Sequence, residues 1–125
     1  MLWAGVGGLV GTCARYAVSR WARWAFDTAF PVGTLTVNVV GCLLIGVLYG
    51  VAEEQRWTSN APATLLLITG FCGGFTTFST FADDGFRLMQ QQRMGTLLLY
   101  TVGSVVVGWL MVWLGRQIVK GCFSA

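Results

Sequence analysis

No histidine occurs among the 125 residues of this chain, and only two prolines do. The first absence removes the commonest transition-metal ligand and the usual side chain for proton transfer near neutral pH. The second leaves long stretches without helix breakers. Pro31 and Pro62 both stand where an apolar run begins, a position that suits proline in the first helical turn. Charge is scarce too: Asp, Glu, Lys and Arg make up 10% of the residues, against about 25% in a soluble domain. With 55% hydrophobic residues and a mean hydropathy of +0.67, the chain reads as a membrane protein. Its formal charge of +3 is small and sits mostly beside the apolar runs, so nucleic-acid binding has no support. The cysteines Cys13, Cys42, Cys72 and Cys122 form no CxxC pair. They read as small hydrophobes instead of disulfides or metal ligands.

Four apolar segments of spanning length use nearly all of the sequence, which predicts an all-α membrane protein with one transmembrane domain over residues 1–125. The first segment, about Leu2 to Trp24, outruns the apolar core of a signal peptide and reads as a retained helix. Within it, Gly7 and Gly11 make a GxxxG pair that permits close helix approach. Arg15 is embedded; such an arginine costs about 2.5–3.5 kcal/mol on insertion scales and calls for a partner in protein or water. Arg20, Trp21, Arg23 and Trp24 form an interfacial belt. After a short loop over Asp27 to Phe30, segment two runs from about Val32 to Ala52. Asn38 lies inside it, and its amide suits either an interhelical hydrogen bond or a solute contact. Segment four, about Met94 to Val119, sets Tyr100, Ser104 and Gly108 on one face at i,i+4 spacing.

Segment three opens at Asn60-Ala61-Pro62 and contains the least ordinary stretch, Gly70 to Phe81, with three glycines and four side-chain hydroxyls. Glycine weakens a helix by roughly 1 kcal/mol relative to alanine, so an interruption is expected near Gly73–Thr76. Interrupted backbone is tolerated in a membrane only where it is buried in protein or lines a watery cavity. Phe78 and Phe81 then fall close to one helix face. A packing helix with lipid-facing rings would explain one phenylalanine; the combination of glycines, hydroxyls and rings points to an ion or solute path. The polar end that follows holds Asp83, Asp84, Arg87 and Arg93, with Asp84 able to reach Arg87 at i,i+3.

Four spans put both termini on one side, together with Arg56, Arg116 and Lys120, which is 3 positive residues. Arg20, Arg23, Arg87 and Arg93 lie opposite, 4 residues once the embedded Arg15 is set aside. So even a split gives the positive-inside rule little to act on. Insertion in both orientations follows, and the economical assembly is an antiparallel two-fold homodimer.

Three stretches carry a resemblance. Gly7-Gly8-x-x-Gly11-x-x-x-Arg15-Tyr16, Gly33-Thr34-Leu35-x-Val37-Asn38-x-x-Gly41 and Gly70-Phe71-x-Gly73-Gly74-Phe75-Thr76-Thr77-Phe78-Ser79-Thr80-Phe81 resemble the Fluc (CrcB) fluoride channels. The fourth segment resembles them in its Tyr100/Ser104 face. The resemblance implies a fluoride-selective passive channel that exports fluoride across the bacterial inner membrane. It implies a dual-topology antiparallel homodimer, bounded by lipid, with two pores. Pore residues would be Asn38, Phe78, Phe81, Tyr100 and Ser104, with Ser79 and Thr80 nearby. It also implies a structural sodium ion (Na+) at the dimer centre, held by the backbone carbonyls of Gly73 and Thr76. This chain departs from the pattern twice. Asp84 stands where the family often has Glu, and Gly108 takes the third place on the hydroxyl track, so that contact is supplied otherwise or is dispensable.

The physics suits the implied function. Fluoride is small and strongly hydrated, and amide and hydroxyl donors with positive ring edges can replace its water. A pore without a fixed charge favours leaving as well as entering. A small dual-topology coupled transporter is the rival reading, but it needs a membrane-embedded carboxylate. Glu53, Glu54, Asp83 and Asp84 sit near segment ends, and Asp27 in a loop. No nucleophile, base and orienting group can be assembled, so an enzyme is not expected.

Overall fold

The structure, a computed structural model, describes residues 1–26 and 30–124. Most of those residues are helical: α1 (Leu2–Ala25), α2 (Val32–Gln55), a π-helical segment π1 (Thr64–Cys72), α3 (Gly73–Phe75), α4 (Phe78–Gln90) and α5 (Met94–Ser124). Apart from Phe30, the loop expected over Asp27 to Phe30 lies outside the described residues. Pro31 precedes α2. The same helix ends in a left-handed Arg56 (φ 55°, ψ 45°), which lets the Trp57 N–H reach back to the Ala52 carbonyl at 2.9 Å.

Among the described residues, three helices are long and apolar enough to cross a membrane: Val32–Gln55, Thr64–Gln90 taken across its internal interruption, and Met94–Phe123. The 24 residues of α1 have the length but fall short in apolarity, because Arg15 and the glycines at 5, 7, 8 and 11 dilute its hydrophobic residues.

Two close contacts organise the packing. In the first, α1 lies backbone to backbone on π1. A Cβ added to Gly7 would overlap the Leu66 carbonyl oxygen, and one added to Gly11 would overlap that of Phe71. The GxxxG spacing thus does what it permits: it brings two backbones together where no side chain fits. In the second, α2 and α5 run side by side in the same direction. Cys42 meets Gly108, Gly46 meets the Val112 backbone, and Gly50 meets Val119. Gly115 closes the same seam against the Leu43 carbonyl and the Val47 N–H. Small residues on both helices, Cys42, Gly46 and Gly50 on α2 and Gly108 and Gly115 on α5, let the two backbones approach and set which side chains face each other.

Little of the apolar surface is buried. Val37, Cys72, Leu88 and Tyr100 are the largest fully enclosed side chains, while Leu98, Leu99, Trp109 and Trp113 of α5 stand exposed. So large an apolar exterior suits contact with lipid.

Candidate functional site

The site is built on the interruption between α3 and α4. Thr76 (φ −85°, ψ 155°) and Thr77 (φ −151°, ψ 124°) are extended, and helix resumes at Phe78. Extended backbone beside lipid needs its polar groups satisfied, and Asn38 does much of this. Its Oδ1 accepts from the Thr77 N–H at 3.0 Å, and its Nδ2 donates to the Thr77 carbonyl at 3.2 Å. The amide carries a second N–H beyond the one so used. The Thr77 hydroxyl caps α4, accepting from the Thr80 N–H at 3.3 Å and donating to the Thr80 hydroxyl at 3.2 Å. It also lies 3.3 Å from the Ser79 hydroxyl. The Thr76 hydroxyl bonds back to the Cys72 carbonyl at 2.8 Å. Arg15 donates through its Nε to the Gly74 carbonyl at 3.1 Å, a protein partner of the kind expected for it from the sequence.

These bonds leave a particular remainder. In an uninterrupted helix the Thr77 N–H would serve the Gly73 carbonyl and the Thr80 N–H would serve that of Thr76. Here the first goes to Asn38 and the second to the Thr77 side chain. Both carbonyls lose their regular donors.

A chain of rings runs alongside. Phe78 and Phe81 lie 5.9 Å apart between centroids, Phe81 and Tyr100 5.0 Å, and Tyr100 meets Phe30 edge-on at 5.5 Å. Tyr100 is 1% exposed whereas Phe78 is 78% exposed, so the row leads from the interior to the surface. The Tyr100 hydroxyl donates to Asp84 Oδ2 at 3.4 Å. This corrects the expectation that Asp84 reaches Arg87. Arg87 pairs instead with Asp83, at 3.0 Å and i,i+4. One residue further along, Asp84 is turned by roughly 100° and faces α5.

Two cavities meet this polar seam. The first, about 540 Å³, is lined by Arg15, Arg23, Thr34, Thr80, Asp84 and Arg87. The second, about 370 Å³, is lined by Asn38, Cys42, Thr77, Phe78, Phe81 and Ser104, among others. The Thr77–Thr80 hydroxyl pair joins their walls. Of the residues expected at the pore, Asn38, Phe78, Phe81 and Ser104 share the second cavity and Thr80 lines the first. Tyr100 touches Phe81 and Asp84; Ser79 reaches only as far as the Thr77 hydroxyl. Within the second cavity, Ser104 Oγ is buried and has no hydrogen-bond partner among the described residues. Thr34, buried against Tyr100, was not foreseen as a site residue, although it precedes Asn38 by four positions and so shares its face.

The arrangement provides neutral donors and ring edges in the second cavity, with no carboxylate among the described residues on its wall, and mixed charge with three arginines in the first. Neutral N–H and O–H donors of this kind can replace water around a small anion. Among the described residues no group of His, Cys, Asp and Glu could hold a metal ion by its side chains.

Comparison with known proteins gives the same direction. The family described as "CrcB-like protein, Camphor Resistance (CrcB)" matches residues 2–116. A protein of Methylobacillus flagellatus named "Fluoride-specific ion channel FluC" is 40% identical over 121 residues, 96% of this chain and 94% of its own. Proteins of the same name from Acidobacterium capsulatum and Pseudomonas putida are also similar. The first is 45% identical over 118 residues, 94% of this chain and 93% of its own. The second is 44% identical over 116 residues, 91% of each. With a match over nearly its whole length and relatives above 40% identity that it covers almost end to end, this chain belongs to the CrcB family.

Proposed function

We propose that this chain is a passive, fluoride-selective channel and not an enzyme. The observation that carries the reading is the second cavity, where a spare Asn38 N–H, a buried Ser104 hydroxyl with no partner among the described residues and the Phe78 and Phe81 rings converge, with no carboxylate among the described residues that line it. Donors of this kind can replace fluoride's water while leaving the ion free to depart. The names of the relatives support the same ion.

In this reading α1 is a fourth span, its Arg15 sheltered by the Gly74 carbonyl. The third span is broken at Thr76–Thr77, and two chains associate antiparallel in a bacterial inner membrane to give two pores. The exposed ring of Phe78 and the open second cavity are what a second copy would cover. Sodium at the two-fold is supported by the Gly73 and Thr76 carbonyls, whose regular donors are committed elsewhere. Two copies could present four neutral oxygens, a donor set that suits a hard, singly charged cation. Exhaustive replacement of sodium by a large organic cation is expected to destabilise the dimer and stop flux. Unchanged dimer and flux would leave the carbonyls to other partners.

Fluoride efflux from liposomes, measured against chloride, tests the function. Efflux is expected without a proton gradient and with chloride excluded; strict dependence on the gradient would support a coupled transporter. Phe78→Ile and Phe81→Ile keep apolar bulk but remove the ring edge. Each is expected to slow efflux about tenfold, equivalent to about 1.4 kcal/mol on the barrier. Wild-type efflux in both variants would make these rings packing residues.

A further inference from the structure

The seam between α2 and α5 pairs side chains level by level. Thr34 faces Tyr100, Asn38 shares a cavity wall with Ser104, and Cys42 faces Gly108. The first two levels each carry polar groups from both helices. At the third, α5 offers only a glycine. A Cβ built on Gly108 would stand 3.3 Å from Cys42 Sγ, so the thiol lies in close contact with the point where a residue-108 side chain would begin. Both residues line the second cavity beside the unpartnered, buried Ser104 hydroxyl one turn away.

We propose that the Cys42 thiol supplies the third polar contact of the fluoride route, in place of the side chain absent at Gly108. The inference rests on the channel reading above. A thiol is a weak donor but a real one, and it is compact enough for the crowded seam. It also makes the route sensitive to soft metals. Silver ion exchanges with the thiol proton, forming an S–Ag bond and releasing H+, and the bound metal would sit in the passage.

Liposome efflux in chloride-free medium tests this. Cys42→Ala removes the donor together with the bulk of the sulfur and is expected to slow fluoride efflux about two- to tenfold, the range of one net hydrogen bond. Cys42→Ser, which keeps a donor at the same place, is expected to slow efflux less than Cys42→Ala. Adding Gly108→Ser to Cys42→Ala is expected to restore efflux, because the hydroxyl enters the space the thiol vacates. Silver ion is expected to block wild type, while both Cys42 variants stay open although Cys13, Cys72 and Cys122 are still present. Undiminished efflux in Cys42→Ala, no recovery on adding Gly108→Ser, or silver block persisting in the variants would each overturn the proposal. If wild type itself passes no fluoride, the channel reading falls; if wild type conducts and one of those three results appears, only the role of Cys42 falls.

Discussion

Asn38→Asp is expected to reduce fluoride efflux at least about a hundredfold while leaving the protein helical by circular dichroism. The two side chains have the same shape, so the change is one of hydrogen-bond character. In the wild type the amide both accepts from the Thr77 N–H and donates to its carbonyl. A carboxylate keeps the first bond and turns the second into repulsion between two acceptors. It also sets a negative charge on the wall of the second cavity. Two unit charges 4 Å apart interact by about 4 kcal/mol at an effective dielectric of 20, more than the ~2.7 kcal/mol that a hundredfold change requires. Asn38→Ala removes the brace without adding charge, so its defect should be smaller. Equal defects would mean that bracing the interruption, not contact with the anion, is what Asn38 contributes. Normal efflux in both would remove it from the route.

The second large effect concerns stability. Gly11→Ala is expected to destabilise the fold by about 1–3 kcal/mol or more, because the new methyl meets the Phe71 carbonyl, which is backbone and cannot rotate away. Gly5→Ala provides the contrast. Nothing lies within 4 Å of a Cβ at that position, so alanine should be neutral or gain about 0.5–1 kcal/mol from its better helix propensity. Both are read from the loss of helicity on titration with a denaturing detergent. Similar midpoints for the two variants would mean that α1 and π1 can separate slightly at no cost.

Much of this was legible in the sequence. The run of glycines and hydroxyls after Ile68 announced where regular helix would fail, since local propensity and the demand for satisfied backbone agree there. The i,i+4 row of Tyr100, Ser104 and Gly108 announced a face, and GxxxG a close approach. Contacts between elements were harder to read. Asp84 lies within reach of Arg87 in sequence, but it is the rotation of α4 against α5 that sends it to Tyr100. The π form of Thr64–Cys72 has no signature in composition, as Leu, Ile and Thr suit an α-helix as well. Cys42 reads as a small hydrophobe until the register of α2 against α5 sets it opposite a missing side chain.

That register has a mechanical side. Gly46 and Gly115 seat each helix in the backbone of the other, so α2 and α5 can neither slide nor turn separately without collision. They form a fixed stator. α4, by contrast, hangs from α3 by the two extended residues Thr76 and Thr77, and Asn38, which is part of the stator, grips the second of them. Any swing of α4 would therefore pivot at that grip, moving the Phe78 and Phe81 rings while the donors of Asn38 and Ser104 stay still. An ion resting on those donors would feel its aromatic wall open or close around a stationary floor.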